Sequence, residues 1–346
     1  MSSSEDNRLG GRVRRYAQVS SRVGRLAASL AGERYLGVSL NRERHAQELR
    51  RALGGLKGPL MKVAQLLSTI PDALPAEYAA ELRQLQANAP SMGWLFVKRR
   101  MGMELGSAWL EQFDSFDRQA ARAASLGQVH RAVALDGRGL ACKLQYPDMS
   151  SAVEADLQQL KLIFAIYRRY DSSIDPSEIH QEISDRLREE LDYQREARHI
   201  HLYRHMLSEE QGVSTPDVVE ELSTARLLTM TWLSGRPLLD FEDSSAAVRN
   251  QLAHNMFRAW YVPFYYYGVI HGDPHLGNYT VSDDYGINLL DFGCVRIFEC
   301  RFVKGVIDLY RALLKDDEEL AVSAYESWGF ENLSREMVEV LNVWAA

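Results

Sequence analysis

The chain has 346 residues, 46% of them apolar and 25% charged, with a net charge of −7. That length holds about two domains of ordinary size, and the composition excludes a disordered chain, a collagen and a disulfide scaffold. The longest strongly apolar stretch, Tyr261 to Ile270, is about half of the roughly 20 residues a membrane-spanning helix needs. Cys142, Cys294 and Cys300 form neither a CxxC pair nor an even framework, so a metal site on them is not expected and a reducing compartment is.

Residues 1–60 carry twelve Lys+Arg against five Asp+Glu, a local +7; the rest of the chain carries twenty-eight against forty-two, or −14. A basic amino-terminal segment on an acidic body reads either as a device for an anionic surface or as a solvated basic helix. No apolar core follows its arginines, which argues against a cleaved signal peptide.

In chain order, the small polar stretch Met1–Asn7 predicts disorder. From Gly11 to Leu36, Arg12, Arg15, Arg22 and Arg25 mix with Val13, Tyr16, Val23, Leu26 and Leu30 in the pattern of one or two amphipathic helices. Arg50–Ile70 is again helical, interrupted at Gly54, Gly55, Gly58 and Pro59. A third helix starts at Pro75, where proline suits a first turn.

The pattern then changes. Gln128–Leu135 alternates, Asp136–Gly139 turns, and Leu140–Tyr146 alternates again, which predicts a hairpin. Asp175-Pro176-Ser177-Glu178 opens a helix on which Ile179, Ile183, Leu187 and Leu191 recur every four residues. Residues 217–222 and 226–233 read as strands. Ser245–Tyr267 is a long helix stopped by Gly268. Residues 279–281 and 287–290 flank a turn at 283–286, and everything from Phe302 to Ala346 reads as helical. Helices, then a strand-rich region, then a helical region with one hairpin describe an α+β protein with two lobes. The last residues lie inside an amphipathic helix without a stop signal, so the native chain is expected to continue beyond Ala346.

The strongest chemical signal is His271-Gly-Asp273-Pro-His-Leu-Gly-Asn278, followed after the hairpin by Asp291-Phe292-Gly293. Phosphoryl transfer needs Mg²⁺ on the phosphates and a carboxylate beside the attacking hydroxyl. Asp273 is suited to orient the acceptor, and Asn278 and Asp291 to hold metal; protein kinases share this layout. Lys143, on the second strand of the first hairpin, can reach phosphates if a helix carboxylate steadies it, and Glu190 is the candidate. Where kinases carry a glycine-rich loop this chain has the alanine-rich Ala120–Gln128, with one glycine and Arg122; neither a Walker A nor a GxGxxG sequence occurs. Each Cβ there narrows the backbone angles open to the loop. On a helix, Lys62, Gln65 and Thr69 share one stripe opposite Leu60, Val63 and Leu67, so Lys62 and Gln65 face either water or the nucleotide cleft. His199, His201, His205 and His254 lack a completing ligand set and are expected at the surface. Tyr265, Tyr266 and Tyr267 are expected beneath the catalytic loop.

From about residue 50 onward the chain resembles the UbiB/ADCK family of atypical kinase-like proteins. Lys62-Val-Ala-Gln65 is similar to its KxGQ motif, and Ala123-Ala-Ser-Leu-Gly-Gln-Val-His130 to its alanine-rich loop. Lys143-Leu-Gln-Tyr-Pro147 is similar to the strand lysine and its sequel, and Glu190-Leu-Asp192 to the ExD motif. The chain departs from the family at Ala64, where KxGQ has glycine, and at Arg122. The resemblance implies a two-lobed kinase-like fold binding ATP with Mg²⁺, and an all-helical extension folded over the site. Its implied layout is a disordered basic tail over 1–20, a KxGQ-type extension over 21–105, an N-lobe with an inserted helix over 106–233 and a truncated C-lobe over 234–346. It implies a Lys143–Glu190 ion pair, metal held by Asn278 and Asp291, and nucleotide contacts from Ala123, Ala124, Ser125 and Gly127. Lys62, Gln65 and Asp192 would form the polar network joining the extension to the site. The implied setting is cytoplasmic, peripheral to the inner face of a membrane. Isoprenoid-quinone precursor lipids or their biosynthetic enzymes are the implied partners, and no nucleic acid is expected. Two alternatives stay open: a non-catalytic nucleotide-binding scaffold, and a small-molecule phosphotransferase.

Overall fold

The computed structural model describes residues 92–123, 126–147, 149–167 and 176–345. The candidate residues Lys62, Gln65, Ala124 and Ser125, like the helical extension up to residue 91, lie outside the described residues. Within them the protein is α+β and divides into two compact units. One runs to Tyr193 and includes Val219–Thr229; the other comprises Gln194–Val218 and Met230–Ala346.

In the first unit, helix α1 (Trp94–Leu105) leads into strand β1 (Phe113–Phe116), followed by β2 (Arg122–Ala123), β3 (Gly127–Ala134) and β4 (Gly139–Gln145). The sheet order is β1–β3–β4–β6, with β2 on β3; β6 is Leu227–Thr231. The β3–β4 hairpin pairs Gly127 with Gln145 through to Val133 with Gly139, and its turn uses Gly137 at φ 87°. A left-handed residue there suits the hairpin twist, and glycine adopts it without steric cost. Val97, Met101, Trp109, Phe113, Leu140 and Leu227 are among the side chains forming the core under this sheet. Trp109 and Phe116 meet edge-to-face at 5.1 Å, geometry that aromatic quadrupoles favour. Helices α2 (Met149–Tyr167) and α3 (Pro176–Glu190) follow, tied by a bidentate Arg188–Glu154 pair at 2.8 and 3.0 Å. That pair is half exposed and contributes little to stability.

Residues 217–222, expected as a strand, instead form a bridge at Val218 and a 3₁₀ turn over Glu220–Leu222. Local side chains capture the carbonyls a ladder would need: Ser223 Oγ donates to Val219 O at 2.8 Å and Thr229 Oγ1 to Leu222 O at 2.6 Å.

The second unit begins within helix α4 (Tyr193–Met206) and contains β5 (Val213–Ser214), β7 (Arg236–Pro237) and the long helix α5 (Ala246–Tyr267). Ser245 caps α5 by accepting the Val248 N–H, and Gly268 ends it at φ 69°. Then come β8 (Val269–His271), β9 (Tyr279–Val281), β10 (Ile287–Leu289) and β11 (Val295–Ile297). β9 and β10 pair antiparallel in a sheet ordered β5–β10–β9–β7, and β8 pairs β11 with His271 opposite Val295. The two loops between these strand pairs, 272–278 and 290–294, are therefore held side by side by the ladders at both ends. The carboxyl-terminal region is helical, as expected, in three helices, α6 (Cys300–Lys315), α7 (Glu318–Ser327) and α8 (Arg335–Ala345). Asp316 takes a left-handed conformation at φ 55° and Asp317 caps α7 by accepting the Leu320 N–H. Among the described residues no helix is long and apolar enough to cross a membrane, and all three cysteines are free.

Candidate functional site

Each unit carries its own part of the predicted chemistry. In the first, Lys143 sits near the end of β4 and is 8% exposed, with its Nζ 5.4 Å from the centre of the Tyr193 ring. A buried ammonium needs such compensation, and an aromatic face supplies part of it. Gly127 is buried at the start of β3, and a Cβ there would lie 2.8 Å from Tyr193 Oη and closer still to the Leu144 carbonyl. Only glycine lets β3 approach the backbone next to Lys143 this tightly. Ala123 and Arg122 lie exposed on β2, paired with Gln128 and Val129.

Glu190 is the last residue of α3 and half-buried; Asp192, two residues on, is exposed. Gln145 joins this segment to the lysine strand, its Nε2 donating to Leu191 O at 3.1 Å. Lys143, Gly127, Glu190 and Asp192 thus belong to one unit and are linked through β4.

In the second unit the loops around Asp273, Asn278 and Asp291 are bound to each other by named groups. Asn278 Nδ2 donates to Asp273 O at 3.1 Å, and the Asn278 carbonyl accepts the Leu290 N–H at 3.0 Å. His271 Nε2 bonds to the Asp291 carbonyl, and its Nδ1 receives the Asp273 N–H at 3.4 Å. A carbonyl only accepts, so these partners assign the proton to Nε2. Asp291 Oδ1 accepts the Gly293 N–H at 3.0 Å. Asp273, Asn278 and Asp291 are all half-buried, at the edge between core and solvent.

Two further residues hold this loop, and neither is among the sequence-predicted set. Glu196, 2% exposed on α4, accepts the Phe292 N–H at 3.4 Å; His199, one turn later, donates its Nδ1–H to Phe292 O at 3.0 Å. Phe292 is fully buried, with the Tyr203 ring 5.2 Å away. His199 is therefore not a surface histidine: it is 7% exposed because it faces the metal-type loop. The tyrosine run also differs from expectation. Tyr266 and Tyr267 are 68% and 46% exposed, while Trp260, Tyr203 and Tyr279 surround His271 beneath the loop. The loop's floor comes from three separate elements, which adjacent positions on one helix cannot reproduce because they point about 100° apart. Burial, and then the nearby Asp273 charge, push the Tyr279 hydroxyl above its ordinary range.

The donor set suits one kind of cation. Asn278 commits its amide N–H to Asp273, which leaves the side-chain carbonyl as its metal-facing group, and Asp291 supplies a carboxylate. Both are oxygen donors, and no cluster of three or more His, Cys, Asp or Glu occurs among the described residues. Mg²⁺ fits this set, since it binds through one or two protein oxygens and takes the rest from water and phosphate.

A family model described as the ABC1 atypical kinase-like domain matches residues 84–325. The atypical kinase coq-8 of Caenorhabditis elegans, named as mitochondrial, is 27% identical over 83% of this chain and 39% of its own length. Atypical kinase COQ8B of Rattus norvegicus, also named as mitochondrial, is 27% identical over 80% of this chain and 53% of its own. A solved structure titled as the complex of Rv3197 with erythromycin, from Mycobacterium tuberculosis, matches with a TM-score of 0.59 and 29% identity. It covers 88% of this chain and 79% of that one. The chain spans about half or less of the length of the curated relatives it matches.

Proposed function

We propose that this chain, which belongs to the ABC1 atypical kinase-like family, the UbiB/ADCK family its motifs resemble, binds Mg·ATP and transfers or hydrolyses its terminal phosphate. Kinase-type activity in general goes with the family. The observation that carries it is the bonding of the 272–278 and 290–294 loops. His271 and Asn278 bond the backbone carbonyls of Asp291 and Asp273, and Asp273, Asn278 and Asp291 are all half-buried, which supports a shared site on these two loops.

In this reading Asp273 orients the attacking water or hydroxyl. Asn278 and Asp291 would hold Mg²⁺, which supplies charge neutralisation to the phosphates. Lys143, steadied by Glu190, holds phosphate oxygens, with Gly127, Ala123, Ala124 and Ser125 lining the nucleotide and Lys62, Gln65 and Asp192 joining the extension to it. Positioning and electrostatic stabilisation supply most of the acceleration in such reactions. We assign the activity to isoprenoid-quinone, such as ubiquinone, or lipid biosynthesis at a membrane surface, on the family resemblance and the basic amino-terminal segment.

The test compares wild type with Asp291→Asn and Asp273→Asn. Mg·ATP should raise the wild-type melting temperature by RT ln(1 + [L]/Kd) in stability terms, and Asp291→Asn or EDTA should remove most of that rise. Anionic vesicles carrying a phenol-like quinone precursor should stimulate ATP hydrolysis in wild type and not in Asp273→Asn. An unchanged melting shift in Asp291→Asn sinks the metal role. A normal shift with equal, negligible turnover in wild type and Asp273→Asn favours the scaffold.

A further inference from the structure

Apart from these loops, the first unit contains a cavity of about 390 Å³ lined by α1, the end of β4 and the start of α2. A volume of this order holds a small organic ligand. Its wall combines apolar Phe96, Met103 and Met149 with cationic Arg99, Arg100 and Arg226, and no carboxylate lines it among the described residues. Arg100 is 4% exposed. Its Nε donates to Gln145 O at 3.2 Å and its Nη1 to Glu104 at 3.0 Å, while Glu104 also accepts the Thr224 hydroxyl at 2.7 Å. Nη2 has no hydrogen-bond partner among the described residues, and the exposed Arg99 and Arg226 side chains form no ion pair there.

Three guanidiniums around one partly apolar recess repel each other; Glu104 pairs with Arg100, and Glu154 and Asp192 line the adjoining recess that shares Arg226. Within the recess itself the charged groups lining it among the described residues are guanidiniums, a lining that suits an anion. The planar fork of guanidinium matches phosphate oxygens two at a time, and the two methionines adapt to an apolar stem of varied shape. Ser150 and Ser151, in the first turn of α2, add hydroxyl and backbone donors to the same wall.

We propose that this cavity is a regulatory anion site for a phosphate group carried on a short apolar stem. Its route to the candidate chemistry runs through Gln145. Arg100 holds the Gln145 carbonyl, the Arg226 carbonyl accepts the Gln145 N–H at 3.1 Å, and the Gln145 side chain reaches Leu191 between Glu190 and Asp192. A ligand gripped by these arginines bears on the strand of Lys143 and on the Glu190–Asp192 segment together. The site requires no nucleotide turnover, so it stands apart from the proposed activity.

The shared chemistry fits a soluble phosphate ester or a phosphatidic acid headgroup. Calorimetric titration of the full chain with octyl phosphate tests it. Wild type should bind octyl phosphate at least tenfold more tightly than inorganic phosphate, and saturating Mg·ATP should leave that binding in place. The double variant R99Q/R226Q, altered at exposed positions and checked for an unchanged melting temperature, should bind at least tenfold more weakly. R100K, which keeps the charge but loses the fork, should also weaken binding. Sedimentation with phosphatidylcholine vesicles containing phosphatidic acid, lost in the double variant, assigns a lipid headgroup; octyl phosphate binding without sedimentation assigns a soluble ester. Failure of wild type to bind octyl phosphate, equal binding by the double variant, or displacement by Mg·ATP overturns the proposal.

Discussion

Replacing Gly127 by alanine tests how the lysine strand is held. The added Cβ would lie 2.8 Å from Tyr193 Oη and nearer to the Leu144 carbonyl oxygen. A flexible side chain could yield, but the closer neighbour is backbone within a paired β3–β4 ladder, next to Lys143. Relief therefore means displacing one strand, and overpacking of that kind costs about 2–3 kcal/mol. At roughly 2–4 °C per kcal/mol for a unit of this size, Gly127→Ala should lower the melting temperature by about 5–10 °C. Gly102→Ala is the control. Gly102 lies inside α1 and a Cβ there meets nothing within 4 Å, so the lower entropy of the unfolded chain should stabilise the protein by about 0.5–1 kcal/mol. Circular-dichroism melts of both variants decide the matter. A Gly127→Ala melt within a degree of wild type, or losses of equal size in the two variants, would refute the close approach and with it the reason for glycine.

His130 is fully buried on β3, and burial first of all lowers its pKa below 6.5, against a smaller raising effect of the Asp117 carbonyl. Its Nδ1 donates to Asp117 O and its Nε2 accepts from Gln128 Nε2, each at 2.8 Å, so a second proton would face a donor. The unfolded chain therefore binds the proton more readily. This contribution is complete above pH 6.5 and lost as pH falls below it, with a slope of at most about 1.4 kcal/mol per pH unit. Urea titrations at pH 7.5 and 5.5 should show a larger loss for wild type than for His130→Gln, and parallel losses would refute the assignment. His199→Ala should cost about 1–3 kcal/mol by stranding the buried Phe292 carbonyl, and His199→Gln, which keeps an N–H donor, should recover part of it in the same titration. Gly268→Ala forces a φ of 69° on an L-residue and sets a Cβ 2.8 Å from Phe298 O. It should lower the melting temperature by several degrees, and a neutral result would refute the left-handed cap.

Local chemistry explains which elements were readable from sequence. The β3–β4 hairpin and α5 carry their own punctuation, a glycine turn in one and Ser245 and Gly268 at the ends of the other, so both fall within a residue or so of expectation. Residues 217–222 have strand-forming composition, but Ser223 and Thr229 take the carbonyls a strand would use. Asp273, Asn278 and Asp291 were legible because chain order and one hairpin bring them close. Sequence does not place Glu196 and His199 at this loop, because their partner Phe292 is about 95 residues away. One signal was available. At 100° per residue, Glu196, His199 and Tyr203 fall on one side of a helix and His201 and His205 on the other. A wheel would have separated the buried histidine from the exposed pair, where counting histidines placed all of them at the surface.

That one-sided arrangement makes the position of the metal-type loop a property of α4. Glu196 and His199 take both backbone groups of Phe292, and Tyr203 packs on its ring. His271 holds the preceding Asp291 carbonyl from the other strand pair. The loop is thus fixed by buried protein groups, the arrangement a preorganised site requires. Amide exchange reads this directly, because an N–H bonded to a buried carboxylate exchanges only when the surrounding structure opens. In nucleotide-free protein the Phe292 amide should exchange as slowly as core amides of β9 and β10. Glu196→Ala should speed it by at least tenfold, the equivalent of losing about 1.4 kcal/mol of protection. Exchange at Phe292 as fast as at the exposed Gly277, in wild type, would mean that α4 does not hold the loop.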